Sequence, residues 1–124
     1  MSGISGKTIA FVYTTDLERA LGFYRDAMGL TVQDTDDYGA NLKADGALVR
    51  LTVIGDHKAG EHPVVGWNVA DITATARMLK DKGVACAIYD GWGQDELGIS
   101  TLPDGSKMAF FSDPDGNALM LAQD

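Results

Sequence analysis

His57, Glu61 and His62 place two imidazoles and a carboxylate close together, the only such grouping of metal-binding side chains in this 124-residue chain. Zinc and related cations take donors of these types, and the spacing would suit a helix. Gly60 and Pro63 argue for a loop instead, so the polar run Gly55–Pro63 reads as a solvated linker. Cys86 is the single cysteine and lies in the apolar run Val84–Ile88, so no intrachain disulfide is possible and the thiol reads as structural. A catalytic thiolate would need a cation or a helix N-terminus to lower its pKa, and the sequence provides neither beside it. Arg50 interrupts an apolar run and must reach water, a carboxylate such as Asp34 or Glu96, or an anionic ligand, because an unpaired buried charge is costly. Trp92 sits in a glycine-flanked loop close to Tyr89, where it could close over a planar ligand or plug the core.

Elements must hold these groups, and the composition bounds what they can be. Hydrophobic residues make up 45% of the chain and charged residues 23%, which suits one compact, soluble domain large enough to bury a core without disulfides or metals. No apolar run approaches a membrane span, so no membrane partner is expected. The opening Met1–Gly6 has neither a basic start nor an apolar core; it reads as a frayed tail rather than a secretory signal, which argues for the cytoplasm. A net charge of −8 repels phosphate backbones and disfavours nucleic acid, while mildly favouring cationic over anionic ligands.

In chain order, residues 7–14 are rich in β-branched and aromatic residues and predict a first strand. Thr15 or Asp16 can cap a helix whose apolar face is Leu17, Ala20, Leu21, Tyr24 and Met28, with Gly29 as the stop. Strand-like pieces at 30–34, 40–43 and 47–54 follow, separated by the turns Asp36–Gly39 and Ala44–Gly46. Beyond the linker the order repeats. Residues 64–69 predict a strand, Asp71 caps a helix with Ile72, Thr75, Ala76 and Leu79 on its apolar face, and strands are expected at 85–89, 99–102, 107–112 and 118–122. Tyr13–Leu17 lines up with Asn68–Ile72, and Met28–Leu30 with Lys82–Val84, so the chain carries two copies of a strand, helix and meander unit. The closing unit begins with the turn Asp113-Pro114-Asp115-Gly116-Asn117, in which proline, two carboxylates and two residues tolerant of positive φ lead into the last strand.

The opening helix with Phe23-Tyr24-Arg25-Asp26 and Gly29-Leu30, the second with Val69-Ala70-Asp71-Ile72 and Lys82-Gly83-Val84, and the closing Asp113–Asn117 turn together resemble the vicinal oxygen chelate superfamily. This is the glyoxalase, bleomycin-resistance and extradiol dioxygenase group. The resemblance implies an α+β fold of paired βαβββ modules, at 7–54 and 64–124 around a linker at 55–63, with sheets that curl around a cleft. It also implies a homodimer. Metal-dependent members carry ligands in the first and last strand of each module, and those positions here are Ile9, Arg50, Val64 and Met120. None of the four provides imidazole, carboxylate or amide oxygen, so neither metal nor other cofactor is expected.

Alternation along strands then places Phe11 and Tyr13 beside Ile9, Leu48 and Thr52 beside Arg50, and Gly66 and Asn68 beside Val64, with Trp67 on the opposite face against the helices. The expected ligand-binding set is Phe11, Tyr13, Arg50, Thr52, Asn68, Trp92 and Met120, lining either a small-molecule pocket or plain core. By resemblance the function is metal-free binding of a small organic molecule. A glyoxalase- or isomerase-type enzyme and a degenerate interaction module stay open as alternatives.

Overall fold

The computed structural model describes residues 3–124; Met1 and Ser2, the start of the expected tail, lie outside the described residues. Internal contacts divide the chain into two compact units, meeting in sequence between His57 and Lys58. Each contains one four-stranded mixed sheet.

The first unit begins with β1 (Thr8–Thr14), whose inward residues Val12 and Thr14 are almost fully buried. Asp16 caps α1 (Leu17–Leu21), its Oδ1 accepting the Arg19 amide at 3.2 Å. The regular helix expected to run to Met28 does not do so. From Gly22 to Ala27 the backbone widens into a π-helical segment, in which the Met28 amide reaches back to the Phe23 carbonyl at 2.9 Å. The wider turn brings two consecutive rings inward. Phe23, absent from the apolar face read off the sequence, is buried with Tyr24, the two meeting edge to face at 4.9 Å. Gly29 then turns the chain out with φ 80, as Gly83 does in the second unit with φ 88.

The strands β2 (Thr31–Asp36), β3 (Gly39–Lys43) and β4 (Ala47–Val53) follow, giving the sheet order β1-β4-β3-β2 with β1 and β4 parallel and the rest antiparallel. Ala40, Leu42, Val49 and Leu51 fill the helix side of this sheet, where each large aliphatic chain contributes about 1.5–3 kcal/mol by leaving water.

The second unit repeats the plan. The strands β5 (Pro63–Asn68), β6 (Ser100–Thr101), β7 (Lys107–Ser112) and β8 (Ala118–Gln123) take the order β5-β8-β7-β6, again with the first and last strands parallel. Asp71 caps α2 (Ile72–Asp81) through the Ala74 amide at 3.0 Å, and the Gln123 side chain accepts the Ile72 amide at 2.7 Å, tying helix start to sheet end. Ile72, Ala76 and Leu79 are buried on the sheet side with Leu119, Leu121 and Phe111. Trp67 joins them: it is half-buried and its ring lies 6.4 Å from Phe111, on the face opposite Gly66 and Asn68.

Asp113 organises the turn into β8. Its buried carboxylate accepts the amides of Asp115 and Asn117 at 3.0 and 2.9 Å and the Asn117 side-chain amide at 2.8 Å. Gly116 adopts positive φ there and Asn117 does not.

Two expected strands are corrected. The one at 99–102 is reduced to Ser100–Thr101, and 85–89 forms no strand. Ala87 donates one hydrogen bond to the Phe110 carbonyl at 2.7 Å, so the segment lies beside β7, but the Gln94 side chain takes backbone groups of Ala87 and Tyr89 that a ladder would use. No helix of the described residues is long and apolar enough to cross a membrane.

Candidate functional site

Strand alternation decides which side chains share a face. On the first sheet the face turned away from α1 carries Ile9, Phe11 and Tyr13, about 45%, 64% and 46% exposed, paired in register with Leu48, Arg50 and Thr52. Four of the expected ligand-binding residues, Phe11, Tyr13, Arg50 and Thr52, are thus brought side by side. His57 packs edge-on against Tyr13, with ring centroids 5.7 Å apart.

Arg50 is not free to greet an incoming anion. Its guanidinium forms a two-pronged ion pair with Asp36, at 2.8 and 2.9 Å. Neither carboxylate named from sequence is the partner. Asn41 stands between Asp34 and Arg50 in the ladder and takes Asp34 at 2.7 Å, so Arg50 reaches diagonally to Asp36. The hydrogen bonds from Arg50, helped by the Tyr38 and Gly39 amides, hold the Asp36 carboxyl at about 2, well below the ordinary range.

The second sheet puts Met120 and Asn68 on its corresponding face, with Gly66 opposite Met120 in register. Asn68 donates to the Asp124 carboxylate at 2.9 Å, which ties it to the chain end. Val64 falls at an irregularity of the β5–β8 ladder and is 40% exposed.

The donor chemistry can be compared at the positions that the resemblance implies for metal. Ile9 and Val64 are hydrocarbons, Arg50 is a paired cation and Met120 a soft thioether, so they do not fit a hard or borderline divalent ion. Among the described residues no three His, Cys, Asp or Glu side chains converge as a metal site would require. Cys86 is half-buried, and burial, with Asp95 adding to it, pushes its thiol up, away from nucleophilic readiness.

Trp92 occupies a different place, a pocket of about 280 Å³ within the second unit. Its walls are Tyr89 and Trp92 from the loop after α2, Phe110 and Ser112 from β7, and Glu61 and Pro63 at the entry to β5. Tyr89 and Trp92 lie 4.9 Å apart at 45°, and Phe110 stands 6.1 Å from Trp92 at 82°, so two rings form a right-angled corner. The bracing comes from Gln94. Its Oε1 accepts the Tyr89 amide at 2.6 Å while its Nε2 donates to the carbonyls of Ala87 and Gly98 at 3.0 and 2.8 Å. Asp95 pins the far end, its Oδ1 accepting the Leu97 and Ile99 amides at 2.8 and 3.0 Å. Gly98, at φ 86, fits against Cys86 and Ala87 where a Cβ would come within 3.0 Å of each.

Sequence reasoning singled out Trp92 and noticed Tyr89, but it missed Glu61 as a pocket wall, Phe110, Ser112 and the brace Gln94. Alternation along 107–112 could have put Phe110 and Ser112 on one face. Nothing local marks Gln94, whose partners lie on both sides of a loop.

Comparison with known proteins agrees with this architecture. The family model for the Glyoxalase/Bleomycin resistance protein/Dioxygenase superfamily matches residues 8–121. Metapyrocatechase 2 of Cupriavidus necator is 32% identical over 91 residues, which are 66% of this chain and 26% of that protein, so this chain spans about a quarter of its length. A member of the superfamily from Sphaerobacter thermophilus superposes with a TM-score of 0.77 at 22% identity, covering 98% of both chains. Lactoylglutathione lyase from Agrobacterium tumefaciens does so with a TM-score of 0.75 at 17% identity, covering 98% of this chain and 95% of that one. With two βαβββ modules in sequence and a family match across nearly its whole length, the chain belongs to the glyoxalase, bleomycin resistance protein and dioxygenase superfamily.

Proposed function

We propose that this chain binds a small organic molecule without a resident metal, and that the aromatic pocket of the second unit is the main contact. The observation that carries the reading is that pocket: four aromatic residues and few polar groups around about 280 Å³, the usual character of a small-molecule site near its lower size limit. The donor-poor positions Ile9, Arg50, Val64 and Met120 support the absence of metal. An enzyme of the lyase or isomerase kind would need several kcal/mol of transition-state stabilisation from another source, and the sequence offers no arranged acid-base pair to supply it.

The reading includes a homodimer, since the exposed row Ile9, Phe11 and Tyr13 leaves apolar area that a second copy would cover. Sedimentation at micromolar concentration checks this, and a lone 13.2 kDa species would count against it.

A thermal-shift screen of small organic compounds and divalent metals tests the function, because a ligand that binds only the folded state raises the melting point by mass action. Organic hits whose effect Trp92→Leu removes are expected. A shift produced by metals alone, accompanied by turnover of an added substrate, would replace the proposal with a metalloenzyme.

A further inference from the structure

The pocket's charge and ring geometry select a class of ligand, an inference that rests on the small-molecule reading above. We infer that it takes a small organic cation, an alkylated ammonium group seated in the aromatic corner with Glu61 as its counter-ion.

The rings come first. Aromatic faces carry the negative end of a quadrupole, and a cation within about 6 Å of a ring centre is attracted to it, most strongly at tryptophan. Trp92 and Phe110 meet at 82°, so a group in their corner faces both, and Tyr89 extends the Trp92 side at 4.9 Å. Trp92 and Tyr89 are 55% and 45% exposed, which leaves ring surface open to a ligand.

Charge then decides between cation, neutral molecule and anion. Among the described residues Glu61 is the one charged side chain lining the pocket, and no lysine, arginine or histidine does so. Among the described residues its carboxylate has no ion-pair or hydrogen-bond partner. An anion would find a carboxylate and, from the side chains, only neutral donors, the hydroxyls of Ser112 and Tyr89 and the indole N–H of Trp92. A neutral ligand would gain nothing from the Glu61 charge beside it. An alkylated ammonium resolves both: its methyl groups suit the rings, its charge offsets Glu61, and it asks for no hydrogen-bond acceptors. The net charge of −8 raises the local concentration of such ligands.

Isothermal titration calorimetry at fixed ionic strength tests this with choline and its uncharged carbon isostere 3,3-dimethyl-1-butanol, both to millimolar concentration. Saturable choline binding is expected, with the alcohol weaker by about tenfold or more. Trp92→Leu and Glu61→Gln should each weaken choline by about tenfold, while Trp92→Phe keeps most of the affinity and Glu61→Gln brings the two probes together. Both side chains are exposed, and an unchanged denaturation midpoint confirms that the variants fold. Equal binding of both probes, lost in Trp92→Leu, would overturn the cation assignment and leave the small-molecule reading standing. Failure of choline to bind, or binding indifferent to both substitutions, would overturn it as well, and the wider compound screen then judges the pocket by itself.

Discussion

Removing the Gln94 side chain should open the aromatic loop without melting the sheet behind it. Gln94→Ala deletes three hydrogen bonds, leaving the Tyr89 amide and the Ala87 and Gly98 carbonyls without their partner. A net bond is worth about 0.5–1.5 kcal/mol, and water can replace the exposed one, so the expected loss is about 2 kcal/mol. The loss falls locally, because β7 and β8 pair with each other through their own ladder. Hydrogen exchange read by NMR is the assay. The Tyr89 amide should exchange about thirtyfold faster, the amount that 2 kcal/mol corresponds to, with the β7–β8 ladder unchanged. Gln94→Glu sharpens the test, since it keeps the acceptor but points a carboxylate at two carbonyl oxygens. Only the protonated acid can donate there, so its folded pKa should rise above the usual value of about 4.3. The variant should then be least stable at neutral pH and should recover as the pH falls through that raised pKa. Unchanged exchange at Tyr89 in Gln94→Ala, or a Gln94→Glu variant as stable as wild type at pH 7, would refute the brace.

The Asp36–Arg50 pair should show in the acid limb of stability. Asp36 is held at about 2 against an ordinary value of 3.8, so between those values the unfolded chain binds more protons, and the contribution is full above pH 4 and lost as pH falls through about 2. Urea midpoints of wild type and Asp36→Asn should converge over that window, and a gap that stays constant down to pH 2 would disprove it. Gly39→Ala should destabilise by at least about 2 kcal/mol, since a Cβ there would fall on the Leu51 carbonyl inside the β3–β4 ladder; denaturation with an unshifted midpoint would contradict it.

Much of this fold is legible because its signals are local. Asp16 and Asp71 each precede an apolar three-and-four spacing, and each accepts the amide three residues on in the folded chain. The duplication lies in the same spacing, and alternation put Phe11, Tyr13 and Arg50 on one face of the first sheet and turned Trp67 away from Gly66 and Asn68 in the second. What escaped depends on partners distant in sequence or on backbone detail. A π-helical turn at 22–27 uses the same residues as an α-helix and differs only in where its amides reach, so Phe23 looked outward. The run 85–89 has strand composition, but Gln94 occupies the backbone groups a strand would offer. Arg50 found Asp36 because Asn41 claims Asp34, a choice made by three-strand register. Glu61 read as part of a polar linker until the strand beside it placed it at the mouth of an aromatic pocket.

The claim that this superfamily member works without a resident metal is tested most directly by elemental analysis of protein purified without a histidine tag, together with a His57→Ala, His62→Ala variant that removes adventitious imidazoles. The donor chemistry of Ile9, Arg50, Val64 and Met120 predicts no stoichiometric divalent metal in either sample. About one tightly held metal per chain that survives the double substitution would contradict it, and would return the chain to the metal-dependent side of its superfamily.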